Sequence, residues 1–260
     1  MKIGAMDSVL RQPWSNLCHV AAELGFDGVE LGVGPDYAET MLWSEEGRRE
    51  LKAAADDAGV PIASVCVHAF WQISFSSDDQ AVRDQATRMA REAAAGAAAV
   101  GAEVLLFPVT LAEGVSPRDG KQRWIEGMQG CAQAALDNGV IFALENVGRS
   151  FATTGPVLAE TVDAVGSPGV KAYFDPGNAL SLGGDPVPEI GQLGERIAQV
   201  HIKDPGGHLL GEGNLDLPGV IAALKDVGYD GWLVLETPAT EDPKAAGAHN
   251  LDYLRKLLEA

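Results

Sequence analysis

Short apolar runs alternate with longer amphipathic stretches from one end of the chain to the other. Lys2–Ala5, Gly28–Leu31, Ile62–Val67, Val104–Pro108, Ile141–Glu145, Val170–Asp175, Ala198–Lys203 and Trp232–Glu236 read as strands. Several carry Val, Ile, Leu or Phe at successive positions, the mark of a strand buried on both faces of a parallel sheet. Between and after them, Ser15–Leu24, Ser44–Ala58, Asp78–Val100, Arg118–Asn138, Gly155–Val165, Pro188–Leu193, Leu217–Val227 and Ala245–Leu258 read as helices. ADDAGVPIASV and ALDNGVIFAL put Gly59 and Gly139 just past two helix ends, where a left-handed residue closes the last turn. LGFDG and VGYDG mark further helix-to-strand turns.

Eight strands alternating with eight helices predict an α/β fold, a (β/α)8 TIM barrel, formed by residues 1–260 as a single domain. The rival is a doubly wound open sheet, and no GxGxxG follows the first strand to support it. At 260 residues the chain is long enough to bury a large core without disulfide staples. Its net charge of −18 sets it against phosphate backbones and anionic membrane surfaces, so neither a nucleic acid nor a membrane is the expected partner. Cys18, Cys66 and Cys131 are odd in number and far apart, which reads as reduced thiols. With no leader pattern in MKIGAMDS and no long apolar span, the expected location is cytoplasmic.

A barrel of this kind carries its chemistry at the C-terminal ends of its strands. The last four strands end IFALENVGR, VKAYFDPGN, IAQVHIKD and GWLVLETP, and so present Glu145, Asp175, His201 and Glu236. They lie 30, 26 and 35 residues apart, one βα unit each time. Three carboxylates and an imidazole converging on one point need a cation among them. Mixed oxygen and nitrogen donors without thiolate suit one divalent ion, with Mn²⁺ the first expectation and Co²⁺, Mg²⁺ or Zn²⁺ the alternatives.

GFDGVEL, LWSEEGRREL, ALENVGRS, AVGSPGVKAYFDPGN, LGERIAQVHIKD, LGEGNLDLPGVIAALKDVGYDGW and LVLE resemble the xylose-isomerase-like TIM-barrel family of sugar and sugar-phosphate isomerases and epimerases. The resemblance is to its L-ribulose-5-phosphate 3-epimerase and hexulose-3-epimerase branch. It spans nearly the whole chain and is densest from Ile141 to Glu236. It implies that Glu145, Asp175, His201 and Glu236 ligate the metal. It also implies that Glu145 and Glu236 exchange a proton with the carbon beside a sugar carbonyl, through an enediolate, most simply in 3-epimerisation. A small sugar substrate, a place in carbohydrate metabolism and a homodimer or homotetramer come with the same resemblance.

His68, Lys203, Asn178, Arg149 and Trp71 are the candidate substrate contacts, each with rim or loop packing as the alternative. Trp14 and Phe70 are further candidates for stacking on a sugar face, and Glu30 and Asp204 for orienting a ligand from behind. Two features depart from the branch. HAFWQISFSSDD carries none of the basic residues found after the third strand in epimerases of phosphorylated sugars, and DPGN lacks a His that some free-ketose epimerases place there. Two other activities fit the same residues: a lyase or dehydratase of the keto-inositol dehydratase or 3-oxo-glycoside lyase type, and a non-catalytic sugar-binding barrel. Five histidines in all and the charge of −18 argue strongly against a DNA-repair endonuclease on a similar barrel.

Overall fold

The computed structural model describes residues 1–238 and 240–259. Eight strands close into a barrel in chain order: β1 Lys2–Met6, β2 Gly28–Val33, β3 Ile62–Val67, β4 Val104–Pro108, β5 Ile141–Glu145, β6 Val170–Phe174, β7 Ile197–Ile202 and β8 Trp232–Leu235. All neighbours are parallel, and β1 pairs β8 through Lys2↔Trp232 to Ala5↔Leu235. The helices are α1 Asp7–Leu10, α2 Trp14–Leu24, α3 Glu45–Ala58, α4 Gln80–Val100, α5 Pro117–Asn138, α6 Gly155–Val165, α7 Pro176–Ser181, α8 Pro186–Leu193, α9 Leu217–Asp226 and α10 Pro243–Glu259. The expected alternation therefore holds, with α1 and α7 added as short helices directly after β1 and β6.

Strand burial explains the apolar runs: every residue of β3 and of β4 is buried. An aromatic cluster ties β4 and β5 to the helices and loops packed on them. Phe107 lies 4.7 Å from both Phe70 and Phe142, and Phe75 meets Trp124 of α5 edge-on at 5.8 Å, all as ring-centroid distances. Phe70 is thus a core residue, which removes it from the sugar-stacking candidates. Gly59 and Gly139 close α3 and α5 in the left-handed conformation, with φ of 67° and 66°. Among the described residues no helix is long and apolar enough to cross a membrane.

Candidate functional site

The strand-end residues meet. One ligand atom each from Glu145, Asp175, His201 and Glu236 lies within 4.8 Å of the others. Glu145 ends β5, His201 lies one residue before the end of β7, and Glu236 follows β8, where its amide still donates to Ile202 O at 3.1 Å. Asp175, expected as the last residue of a strand, instead stands at the N-terminus of α7, and its Oδ1 accepts from the Asn178 amide at 2.8 Å. Pro176 at the first helical position has no N–H to lose and favours this turn. Asn146, the residue after β5, clamps Asp175: its Nδ2 donates to Asp175 O at 2.9 Å, and its Oδ1 accepts from Asp175 N at 2.8 Å.

His201 is the hub. Its Nδ1 stands 2.9 Å from Glu145 Oε1 and 3.4 Å from Glu236 Oε2, while its Nε2 stands 2.8 Å from Glu30 Oε1. Lys203, two residues on and so on the same face of the chain, donates to Glu236 Oε2 at 2.6 Å. Its Nζ also lies 2.7 Å from Asp175 Oδ2, but off the line of a hydrogen bond, leaving that buried oxygen without an aligned donor.

The electrostatics follow from this crowding. Burial pushes the Glu145 carboxyl up to about 7, against the pull of His201. Asp175 is likewise raised by burial, against Lys203. Burial acts upward on Glu236 too, but His201 and Lys203 outweigh it and hold that carboxyl below its ordinary value. Burial draws the His201 imidazole down, yet Glu236, Glu30 and Glu145 together hold it well above its usual range. Burial drives the Cys66 thiol beside the site well up, so it is no thiolate donor.

A divalent ion fits this donor set. Three carboxylates and one imidazole converge, one carboxylate oxygen is buried without an aligned donor, and no ionised thiol competes. Glu145, Asp175, His201 and Glu236 are the residues that would hold it.

The site opens into a cavity of about 210 Å³ lined in part by His68, Trp71, Asn178 and Lys203 beside Glu145 and Glu236. Four of the five candidate substrate contacts therefore face one space. Arg149 stands outside its wall, exposed, with its guanidinium carbon 5.3 Å from the Trp71 ring centroid. Trp14 is turned to another task, donating from Nε1 to Asp7 Oδ2 at 2.6 Å. Asp204 accepts from the amides of Gly213, Asn214 and Leu215, so it ties down the GEGNLD loop rather than orienting a ligand.

Sequence reading passed over Asn146, Ser64, Tyr173 and Gln199. The last three form a buried polar layer under His201 with Glu30. A signal was present: Ser64 interrupts IASVCV, and Gln199 precedes His201 and Lys203 at the period of two that puts side chains on one face of a strand.

The family model described as xylose isomerase-like TIM barrel matches residues 18–257. In sequence the chain is similar to the L-ribulose-5-phosphate 3-epimerase UlaE of Escherichia coli (strain K12). The two are 28% identical over 254 residues, covering 93% of this chain and 89% of the relative. In fold it is similar to the D-psicose 3-epimerase of Clostridium cellulolyticum H10 solved with D-tagatose, with a TM-score of 0.87 and 21% identity over all of both chains. A solved L-ribulose 3-epimerase gives a TM-score of 0.86 at 19% identity, covering 99% of this chain and 94% of that one.

Proposed function

We propose that this chain, which belongs to the xylose isomerase-like TIM-barrel family, is a divalent-metal-dependent epimerase. It inverts C3 of a small ketose or ketose phosphate by proton transfer. The observation that carries the reading is the convergence of Glu145, Asp175, His201 and Glu236 within 4.8 Å, with both glutamates lining the cavity. The cavity's 210 Å³ lies below the roughly 300–1,000 Å³ of drug-sized sites, so it suits a small substrate.

The chemistry needs a base on one face of a carbon and an acid on the other. Glu145 and Glu236 come from β5 and the end of β8, and each presents a carboxyl to the same cavity. One removes the proton beside the carbonyl, and the other, protonated at that moment, returns one from the opposite face. Two carboxyls this close titrate as a pair, which favours one proton between them. Lys203 holds Glu236 by a 2.6 Å hydrogen bond and adds positive charge where the enediolate develops. His68, Asn178 and Trp71 contact the sugar along the cavity wall, and Arg149 reaches it from the rim. A bound divalent ion supplies Lewis-acid stabilisation of negative charge on the substrate oxygens. We assign Mn²⁺ to the site on its oxygen-rich donor set. We place the protein in the cytoplasm on its three free, buried cysteines.

The test is to incubate the Mn²⁺-loaded protein with a panel of ketoses and ketose phosphates and identify products by NMR and mass. A C3 epimer of one of them supports the reading. An unsaturated carbonyl product absorbing in the ultraviolet would replace it with the lyase.

A further inference from the structure

Beneath the four converging residues, the buried polar layer has a direction. Gln199 Nε2 stands 2.6 Å from Ser64 Oγ and 3.0 Å from Tyr173 Oη. An amide nitrogen can only donate, so both hydroxyls accept from it. Ser64 Oγ and Tyr173 Oη in turn stand 2.6 and 3.0 Å from Glu30 Oε2. With Gln199 filling their acceptor sites, each hydroxyl has its proton free for Glu30. A flipped Gln199 would draw both protons to its own oxygen and leave the two hydroxyl oxygens facing Glu30 Oε2 without a proton between them. The observed orientation is kept although Gln199 Oε1 is buried without a partner.

Glu30 as a carboxylate offers only acceptors. Its Oε2 is taken by two hydroxyls, and its Oε1 lies 2.8 Å from His201 Nε2. That nitrogen must therefore carry a proton, so in the neutral ring that a metal requires it is Nδ1, the nitrogen facing Glu145 and Glu236, that has the lone pair to donate.

We propose that Gln199, Ser64, Tyr173 and Glu30 form a one-way hydrogen-bond relay that fixes His201 as the Nε2–H form and so presents Nδ1 to the metal. Glu30 is a positioning residue: it faces away from the cavity and acts through His201. The relay rests on the metal-site reading above.

The test uses the full-length protein, wild type, Glu30→Gln and Tyr173→Phe. Zn²⁺ affinity is measured by chelator competition, and the His201 ring nitrogens by ¹⁵N NMR of the Zn²⁺-loaded forms. Five histidines in the chain keep the assignment tractable. Wild type should show a protonated Nε2 and a metal-bound Nδ1. Glu30→Gln, whose amide can donate as well as accept, should lose roughly 10- to 100-fold in affinity, as outer partners of metal-binding histidines do. Its Nε2 signal should shift as well. Tyr173→Phe removes one hydroxyl from the layer and should move both readouts the same way by less, which keeps the test alive if Glu30→Gln does not fold. Unchanged affinity and an unchanged Nε2–H signal in the folded variants would overturn the relay while leaving the metal site standing. A wild-type protein that takes up no divalent ion would overturn the site reading, and the relay with it.

Discussion

Gly177 lies directly against Lys203: a Cβ on Gly177 would stand 2.8 Å from both Lys203 Cγ and Lys203 O. This close approach lets α7 carry Asp175 up to the Lys203 ammonium. Gly177→Ala should therefore push α7 and Lys203 apart. Overpacking of this kind destabilises by about 1–3 kcal/mol. The larger effect should fall on turnover, because displacements near 1 Å in a catalytic array cost up to about 100-fold. Thermal melts and steady-state kinetics on the variant check both. Wild-type turnover would show that the contact does not set the site.

Glu145→Gln and Glu236→Gln should each lower turnover by roughly 10²–10⁴-fold, the usual contribution of a positioned acid or base, since an amide can take neither role. Both keep size and burial, so circular dichroism should match wild type. Near-normal turnover in either variant removes the two-carboxyl mechanism.

The metal-free protein should lose stability with rising pH through Glu145. Its carboxyl stands at about 7 in the folded chain against an ordinary value of 4.5. Between those values the folded chain holds a proton that the unfolded chain has released. Its contribution to stability is therefore complete below the lower value and fades as pH rises through the higher one. The size is at most about 3 kcal/mol. Urea titrations of metal-free wild type and Glu145→Gln from pH 4 to 8 should show the difference between them changing over this window. A difference flat with pH contradicts the assignment.

His201→Ala should retain less metal after dialysis, because it removes the one nitrogen donor of the set and leaves Glu30 Oε1 buried without its partner. Metal analysis beside wild type checks this, and equal content would count against His201 as a ligand.

Much of the site was legible because a barrel puts its chemistry at strand ends, and Glu145, His201 and Glu236 stand there after apolar runs. Asp175 was found by the same rule but with a different local role, since Pro176 turns the chain into a helix one residue early. Phe70 and Trp71 are neighbours in sequence, yet one enters the core and the other lines the cavity. The short helical turn His68–Trp71 decides that, and strand periodicity does not describe it. The sequence marks Glu30 as an acceptor behind the site, but its meeting with His201, 171 residues away, is a product of barrel closure. Asp204 resembled a ligand-orienting residue because it follows HIK; the loop that folds back over it lies ahead in the chain and makes it a tether.

The central claim is proton exchange at one carbon by Glu145 and Glu236, and the most direct measurement is deuterium incorporation. The Mn²⁺-loaded protein is incubated with the ketose panel in D₂O and the sugars are read by NMR and mass. The account predicts deuterium at C3 together with the C3 epimer, and neither in Glu145→Gln or Glu236→Gln. Deuterium at C1 or C2 with an aldose product, or a metal-loaded protein that exchanges no proton with any sugar of the panel, would contradict it.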